Sequence, residues 1–224
     1  MPPSTEPFPF PREYHFPPFF TRQTNLTTHH AQLTKWSALV LAYCRHHRIF
    51  KLPLTTAAAA SSSTSSTTDP LQSQSQSQSS SATDELFHNK TLNRRLSPAD
   101  VREVIDFMCK EGRAEYCSPG TGQAGGDVAW IYWRSPEEWA QLIEGWVDET
   151  AQKGSVLTLY ELVEGDGTLG TDIHGIDRDM LHRALQLLVK RGRAQIFGQE
   201  DSQGVKAPGD PIHRTPSIAP KSLH

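Results

Sequence analysis

A helix-to-strand unit occurs twice in this 224-residue chain, 80 residues apart, and this repeat limits the possible folds more than any other feature. The first copy runs from Val101-Arg102-Glu103-Val104-Ile105 to Lys110-Glu111-Gly112-Arg113-Ala114-Glu115-Tyr116. The second runs from Leu181-His182-Arg183-Ala184-Leu185 to Lys190-Arg191-Gly192-Arg193-Ala194-Gln195-Ile196. Val101, Val104, Ile105 and Met108 fit the i, i+3, i+4, i+7 template of a helix with one buried face, and Leu181, Ala184, Leu185 and Leu188 repeat it. Gly112 and Gly192 stand where a helix stops on a left-handed residue, with Lys110 and Lys190 favourably placed near the C-terminal end of each helix dipole. Upstream, Trp36, Leu39, Val40 and Tyr43 match Trp139, Leu142, Ile143 and Trp146. Two copies of one small module are expected, and the repeat contains no catalytic constellation.

The first copy is longer than the second by about 23 residues. The surplus falls at about residues 53–84, a Ser-, Thr-, Gln- and Ala-rich stretch with almost no large apolar side chains. Such a composition cannot offset the entropy of ordering, so a disordered insertion between two helices of the first module is expected. Its simplest role is a solvated spacer.

A first helix is predicted from about Thr27 to Arg48, and a short helical turn near Glu85–Asn93. Ser97-Pro98-Ala99-Asp100 then opens the first repeat helix with an N-cap Ser, a Pro at the first helical position and an acid at the third, and Ser135-Pro136-Glu137-Glu138 opens the second module in the same way. Strands follow the repeat helices at Ala114–Cys117 and Ala194–Phe197, and a further strand is predicted at Val128–Trp133. Three helices followed by a two-stranded hairpin is the order of a winged helix. The expected fold is mainly α with small β wings (α+β): two tandem winged-helix domains. The expected boundaries are a Pro/aromatic arm at 1–25, a first domain at 26–134, a second at 135–206, and a disordered tail at 207–224. Beyond Gly204-Val205-Lys206 the sequence turns polar and Pro-containing, which predicts a shortened second wing.

The near-balanced net charge of −3 is poor electrostatics for a general nucleic-acid or anionic-membrane binder. No apolar run approaches the length of a bilayer span, and the Pro-rich start lacks a signal-peptide core. Cys44, Cys109 and Cys117 lack metal-ligand spacing and read as buried free thiols of a reducing compartment. A soluble intracellular chain is expected.

Several patterns imitate active sites. Gly120-Thr121-Gly122-Gln123-Ala124-Gly125 matches G-x-G-x-x-G, but a strand-like segment, Val128–Trp133, follows it where a dinucleotide site needs a helix. His29-His30 and His46-His47 are adjacent pairs, whereas helical metal ligands sit three or four residues apart. Glu111, Asp148, Glu149, Glu161 and Glu164 fall on exposed faces or loops. No catalytic residue, cofactor or metal is expected, and the chain reads as a non-enzyme.

Winged helices commonly read DNA through their third helix. Here the first candidate helix exposes Asp100, Arg102, Glu103, Asp106, Lys110 and Glu111, a mixed face that repels phosphates about as much as it attracts them. The second carries Arg178, His182, Arg183, Lys190 and Arg191 against Asp177 and Asp179, which suits DNA or an acidic protein helix. A DNA-binding or transcription-complex subunit therefore stands as the alternative to a protein adaptor.

The N-terminal arm favours the adaptor. Phe8-Pro9-Phe10 and Tyr14-His15-Phe16-Pro17-Pro18-Phe19-Phe20 alternate prolines with aromatics, giving a preset extended segment that loses little entropy on docking. The competing expectation is that the arm folds back on its own first domain, hiding an aromatic cluster that is costly to expose.

Tyr14-His15-Phe16-Pro17-Pro18-Phe19-Phe20-Thr21, Gln32-Leu33, Trp36 to Cys44-Arg45, Trp133-Arg134-Ser135-Pro136-Glu137-Glu138-Trp139, Leu157-Thr158-Leu159-Tyr160-Glu161-Leu162 and Leu181-His182-Arg183-Ala184-Leu185 together resemble the vacuolar protein-sorting-associated protein 25 family, the small subunits of ESCRT-II. The resemblance covers nearly all of the chain outside the insertion and the tail. It implies a cytoplasmic scaffold recruited to the endosomal membrane, with two copies per complex beside one each of two larger subunits. It also implies recruitment of ESCRT-III during sorting of ubiquitinated cargo into multivesicular bodies, with membrane touched only indirectly and no nucleic acid bound. On that resemblance Phe16, Pro17, Pro18, Phe19 and Phe20 would dock on the larger subunits. Exposure and charge nominate Arg178, His182, Arg183, Arg193 and Phe197 as the contact for an ESCRT-III subunit.

Overall fold

Asn25 starts the first helix. Its side-chain oxygen accepts from the backbone N–H of Thr27 at 2.9 Å and Thr28 at 3.2 Å, satisfying two donors that a helix start leaves free. The helix α1 (Leu26–His47) ends on Arg48 in the left-handed region. The structure is a computed structural model and describes residues 7–54, 83–117, 127–152, 154–198 and 204–206.

After α1 come strand β1 (Lys51–Pro53), helix α2 (described over residues 83–87), the short strands β2 (His88–Asn89) and β3 (Arg94–Arg95), helix α3 (Pro98–Lys110), and strands β4 (Ala114–Tyr116) and β5 (Val128–Ile131). The α3 cap is the one expected: the Ser97 hydroxyl accepts from the Asp100 N–H at 3.1 Å, with Pro98 in the first turn. The second module holds helix α4 (Pro136–Glu149), strand β6 (Val156–Thr158), helices α5 (Leu159–Glu164) and α6 (Arg178–Lys190), and strands β7 (Gln195–Phe197) and β8 (Gly204–Lys206). The chain divides into two compact units, Pro2–Ser135 and Pro136–His224.

Each unit builds one antiparallel three-stranded sheet of matching topology, ordered β1-β5-β4 in the first and β6-β8-β7 in the second. The expected helix-helix-helix-hairpin order omitted the first strand of each sheet. Lys51-Leu52-Pro53 is too short to show a two-residue period, and Pro53 is tolerated because β1 lies at a sheet edge. The turn expected near Glu85–Asn93 is a helix only to residue 87, after which β2 and β3 pair. The expected insertion was drawn too wide: Pro53 belongs to β1, Leu54 is buried, and Thr83 and Asp84 belong to α2. Residues 55–82, the expected tail at 207–224 and the glycine loop within 118–126 lie outside the described residues. In the second sheet β8 is the central strand and pairs with both β6 and β7, and the residues after Lys206, where the shortening is expected, lie outside the described residues.

Both repeat helices bury the predicted faces. Val101, Val104, Ile105 and Met108 are at most 2% exposed, and Leu181, Ala184, Leu185 and Leu188 at most 3%. Gly112 (φ 69°) and Gly192 (φ 68°) occupy the left-handed region that ends each helix. The upstream match holds in part. Trp36 and Val40 are buried, as are Trp139 and Ile143, yet Leu39 and Tyr43 are buried whereas Leu142 is exposed and Trp146 half-buried. The cause is the N-terminal segment, which packs Phe8 and Phe10 against Tyr43 with ring centroids 5.1 and 5.9 Å apart.

Candidate partner-docking surfaces

The N-terminal segment is not a free extended arm. Residues Arg12–His15 and Pro17–Phe20 form two successive 3-10 turns, the second with prolines at its start, where a fixed φ suits a helical turn and the missing N–H costs nothing. Aromatic contacts fasten these turns to α1. Phe19 stacks on Trp36 at 4.4 Å with ring planes 7° apart, Phe20 meets Trp36 edge-on at 5.4 Å, and Phe10 stacks on Tyr14 at 4.0 Å. Tyr14, Phe19 and Phe20 all belong to the unit's hydrophobic core.

Polar contacts lock the same segment. The Tyr14 hydroxyl donates to the Glu85 carbonyl at 2.6 Å, and the buried Asn89 amide donates to the Tyr14 carbonyl at 2.8 Å. The Trp36 indole N–H donates to the Phe19 carbonyl at 3.0 Å, and the Gln32 amide donates to the same carbonyl at 2.8 Å. Burial pushes the Tyr14 and Tyr43 hydroxyls well above the ordinary tyrosine range, with the Glu85 carboxylate adding to the effect, so both stay neutral donors.

This arrangement splits the five predicted docking residues. Phe19 (6% exposed) and Phe20 (5%) face inward and support the turn, so in the free chain they are part of the core. Phe16 is 60% exposed, and Pro17 and Pro18 are exposed beside it. The presented surface is therefore a Phe-Pro-Pro ridge on a buried aromatic base. A shallow groove flanks it, bordered by Phe16, Pro18, Thr28, Ala31 and Lys35. Lys35 pairs with Glu13 at 3.0 Å, and Glu13 is held below its ordinary value by a backbone hydrogen bond and by that lysine.

In the second unit, Arg178 and His182 lie one turn apart on α6. The Arg178 guanidinium is 3.7 Å from Glu164, and the His182 ring is 3.1 Å from the Gln186 amide. Arg183, on the same helix, is half-buried and engaged in an interaction of its own. Arg193 lies beyond the other end of the helix, about 20 Å from Arg178 along the axis, and reaches Glu144 of α4 at 3.4 Å. Phe197 is 48% exposed at the end of β7. The five residues therefore divide between the start of α6 and the wing. Exposed Val156, Tyr160, Leu169 and Val189 add apolar surface to this unit that periodicity did not single out.

On the α3 face that a DNA-reading helix would present, Arg102 pairs with Asp127 at 3.2 Å, and Tyr116 donates to Asp106 at 2.7 Å. Among the described residues no group of three or more His, Cys, Asp or Glu side chains could hold a metal ion, and no helix is long and apolar enough to cross a membrane.

Comparison with known proteins converges on one family. The family model described as an ESCRT-II complex subunit matches residues 13–177. Vacuolar protein-sorting-associated protein 25 of Xenopus laevis is 36% identical over 199 residues, covering 89% of this chain and 98% of the relative; the Homo sapiens protein of that name is 34% identical, covering 89% and 97%. The crystal structure of subunit VPS25 of the endosomal trafficking complex ESCRT-II superposes with a TM-score of 0.67 at 26% identity, covering 88% of this chain and 97% of that one. The crystal structure of endosomal complex ESCRT-II (VPS22/VPS25/VPS36) gives 0.65 at 27%, covering 88% and 97%. With its repeated winged helices, its Pro/aromatic turn and these relatives, the chain belongs to the ESCRT-II complex subunit family, in the vacuolar protein-sorting-associated protein 25 group.

Proposed function

We propose that this chain is the small, non-enzymatic scaffold subunit of an ESCRT-II complex, docking on VPS22- and VPS36-like subunits through Phe16, Pro17 and Pro18. The observation that carries the reading is the exposed Phe16 ring beside two prolines, in a segment whose other large aromatics are half-buried or buried. A rigid, preformed apolar ridge loses little entropy on association, and a desolvated aromatic dominates the energy of such contacts. Phe19 and Phe20 contribute by fixing the ridge in place.

Two copies join one each of the larger subunits. The second unit offers its α6 and wing surface, with Arg178, His182, Arg183, Arg193 and Phe197, to an ESCRT-III subunit. In this role the chain acts in the cytoplasm at endosomal membranes, in sorting of ubiquitinated cargo into multivesicular bodies.

Affinity purification from the native cells, with native mass measurement, tests the assembly. Two larger winged-helix subunits and two copies of this chain support the proposal. Recovery alone, or with chromatin or polymerase components, overturns it in favour of the DNA-binding alternative. Pro17→Ala combined with Phe16→Ala is expected to abolish co-purification while circular dichroism stays unchanged.

A further inference from the structure

Gln32 is a buried amide among the mostly apolar buried residues of α1, four residues before Trp36. Its Nε2 donates to the Phe19 carbonyl at 2.8 Å and the Thr21 carbonyl at 2.9 Å, with the Pro18 carbonyl at 3.5 Å. All three groups belong to the turn that carries the ridge or directly follow it. None depends on Gln32 alone. Phe19 also receives the Trp36 indole N–H, Pro18 receives the Thr21 N–H and the Gln23 amide, and Thr21 receives the Gln23 amide. The amide is therefore not needed merely to satisfy orphaned carbonyls. It ties the turn to α1.

Because Nε2 must face the carbonyls, the Gln32 Oε1 faces the other way, 3.4 Å from Nδ1 of His29. The other ring nitrogen, Nε2, lies 3.0 Å from Oε1 of Glu103 on α3, and that oxygen also receives the Arg22 guanidinium at 3.0 Å. Arg22 directly follows Thr21, so the contacts close a ring: turn, Gln32, His29, Glu103, Arg22, turn. An amide oxygen and a carboxylate oxygen are both acceptors. The ring is complete only while the imidazole carries a proton on each nitrogen. The charged groups around this imidazole are Glu103 and Asp100 from α3 and Arg22 from the N-terminal segment, in a small pocket they share with Gln32.

We propose that Gln32 is a positioning residue for partner docking, setting the pose of the Phe16-Pro17-Pro18 ridge, and that His29 bridged to Glu103 holds Gln32 in that orientation. The proposal rests on the docking reading above. Its consequence is a docking affinity that weakens as His29 loses its second proton, because one of its two bonds is then replaced by opposed lone pairs.

The test uses the full chain and its co-purified VPS22- and VPS36-like subunits from the same organism. Affinity is measured by calorimetry from about pH 5 to 8, where histidine changes charge, alongside thermal unfolding of the free chain. Gln32→Leu is expected to keep the unfolding temperature within a few degrees and to weaken docking about tenfold, the equivalent of one or two hydrogen bonds. His29→Asn is expected to dock weakly at every pH and to lose most of the wild-type pH dependence. Wild-type affinity in Gln32→Leu, or an unchanged pH profile in His29→Asn, overturns the proposal. Should Gln32→Leu fail to fold, His29→Asn, which leaves the carboxamide in place, decides alone. If Phe16→Ala with Pro17→Ala weakens docking but neither test variant does, only the positioning inference falls. If that ridge variant also docks normally, the docking reading falls and this inference with it.

Discussion

Phe19 stacks on the Trp36 indole with centroids 4.4 Å apart, whereas Phe16, three residues earlier, leaves 60% of its surface in solvent. Burying a phenylalanine side chain contributes about 1.5–3 kcal/mol, and truncating one inside a packed cluster costs about 3–5 kcal/mol because a cavity remains. Phe19→Ala is therefore expected to destabilise the first unit by about 3–5 kcal/mol. Phe16→Ala should change the stability of the free chain by less than about 0.5 kcal/mol, as for other surface substitutions. Urea denaturation followed by tryptophan fluorescence separates the two, and equal losses would show that Phe16 is also core. Loss of docking in a Phe19 variant must accordingly be read against its unfolding midpoint. Both residues sit in one Phe-Pro-Pro-Phe-Phe run, residues 16–20, and sequence could not divide them. The division depends on the 3-10 turn, which aims Phe19 and Phe20 at Trp36.

The helices were more legible than the strands at the scale of single elements. Gly112 and Gly192 announced the ends of α3 and α6 because a left-handed backbone excludes most side chains, and their φ values of 69° and 68° agree. Gly112→Ala and Gly192→Ala are expected to destabilise their own units by similar amounts, about 1–2 kcal/mol each. Denaturation of each variant checks this, and a neutral substitution at either site would count against strain as the cause. Strands β1 and β6 escaped notice because three residues cannot display a period and, unlike β4 and β7, neither follows a helix that stops on a repeated glycine. At α5 the Thr158 hydroxyl accepts from the Glu161 N–H at 3.1 Å, and Glu161 accepts from the Thr158 N–H at 2.7 Å. That backbone bond, then the Thr158 hydroxyl, holds the Glu161 carboxyl below its ordinary value. The carboxylate's share of the cap is present above the ordinary carboxylate range and is lost as pH falls through the depressed value. Thr158→Ala is expected to cost about 1 kcal/mol while keeping most of this acid-side dependence, because the backbone N–H that binds the carboxylate remains, as a urea series at several pH values would read.

Across the whole molecule the two units share a topology but differ in what covers the first helix. The periodicity of α1 and α4 is alike, so sequence assigned Leu39 and Leu142 the same burial. It offered folding of residues 8–20 onto the first unit only as the competing expectation and could not choose it, because that docking depends on contacts between segments as far apart as Tyr14 and Glu85 or Asn89. Leu142, at 36% exposure, shows the same helix position without a cover. The N-terminal segment is thus a structural part of the first unit before it is a docking device. Removing residues 1–25 takes away Tyr14, Phe19 and Phe20 together, three core aromatics whose combined loss approaches the whole stability of a domain, about 5–15 kcal/mol. The truncated chain is expected to have an unfolded or strongly destabilised first unit, while the second unit, with its own core around Trp139, Ile143, Leu181 and Leu185, keeps its transition. Hydrogen exchange followed by mass spectrometry resolves the two units peptide by peptide. Protection lost over α1 and α3 but kept over α4 and α6 is the expected pattern. Full protection of α1 in the truncated chain would mean that the segment is a detachable arm after all, and that its loss affects assembly alone.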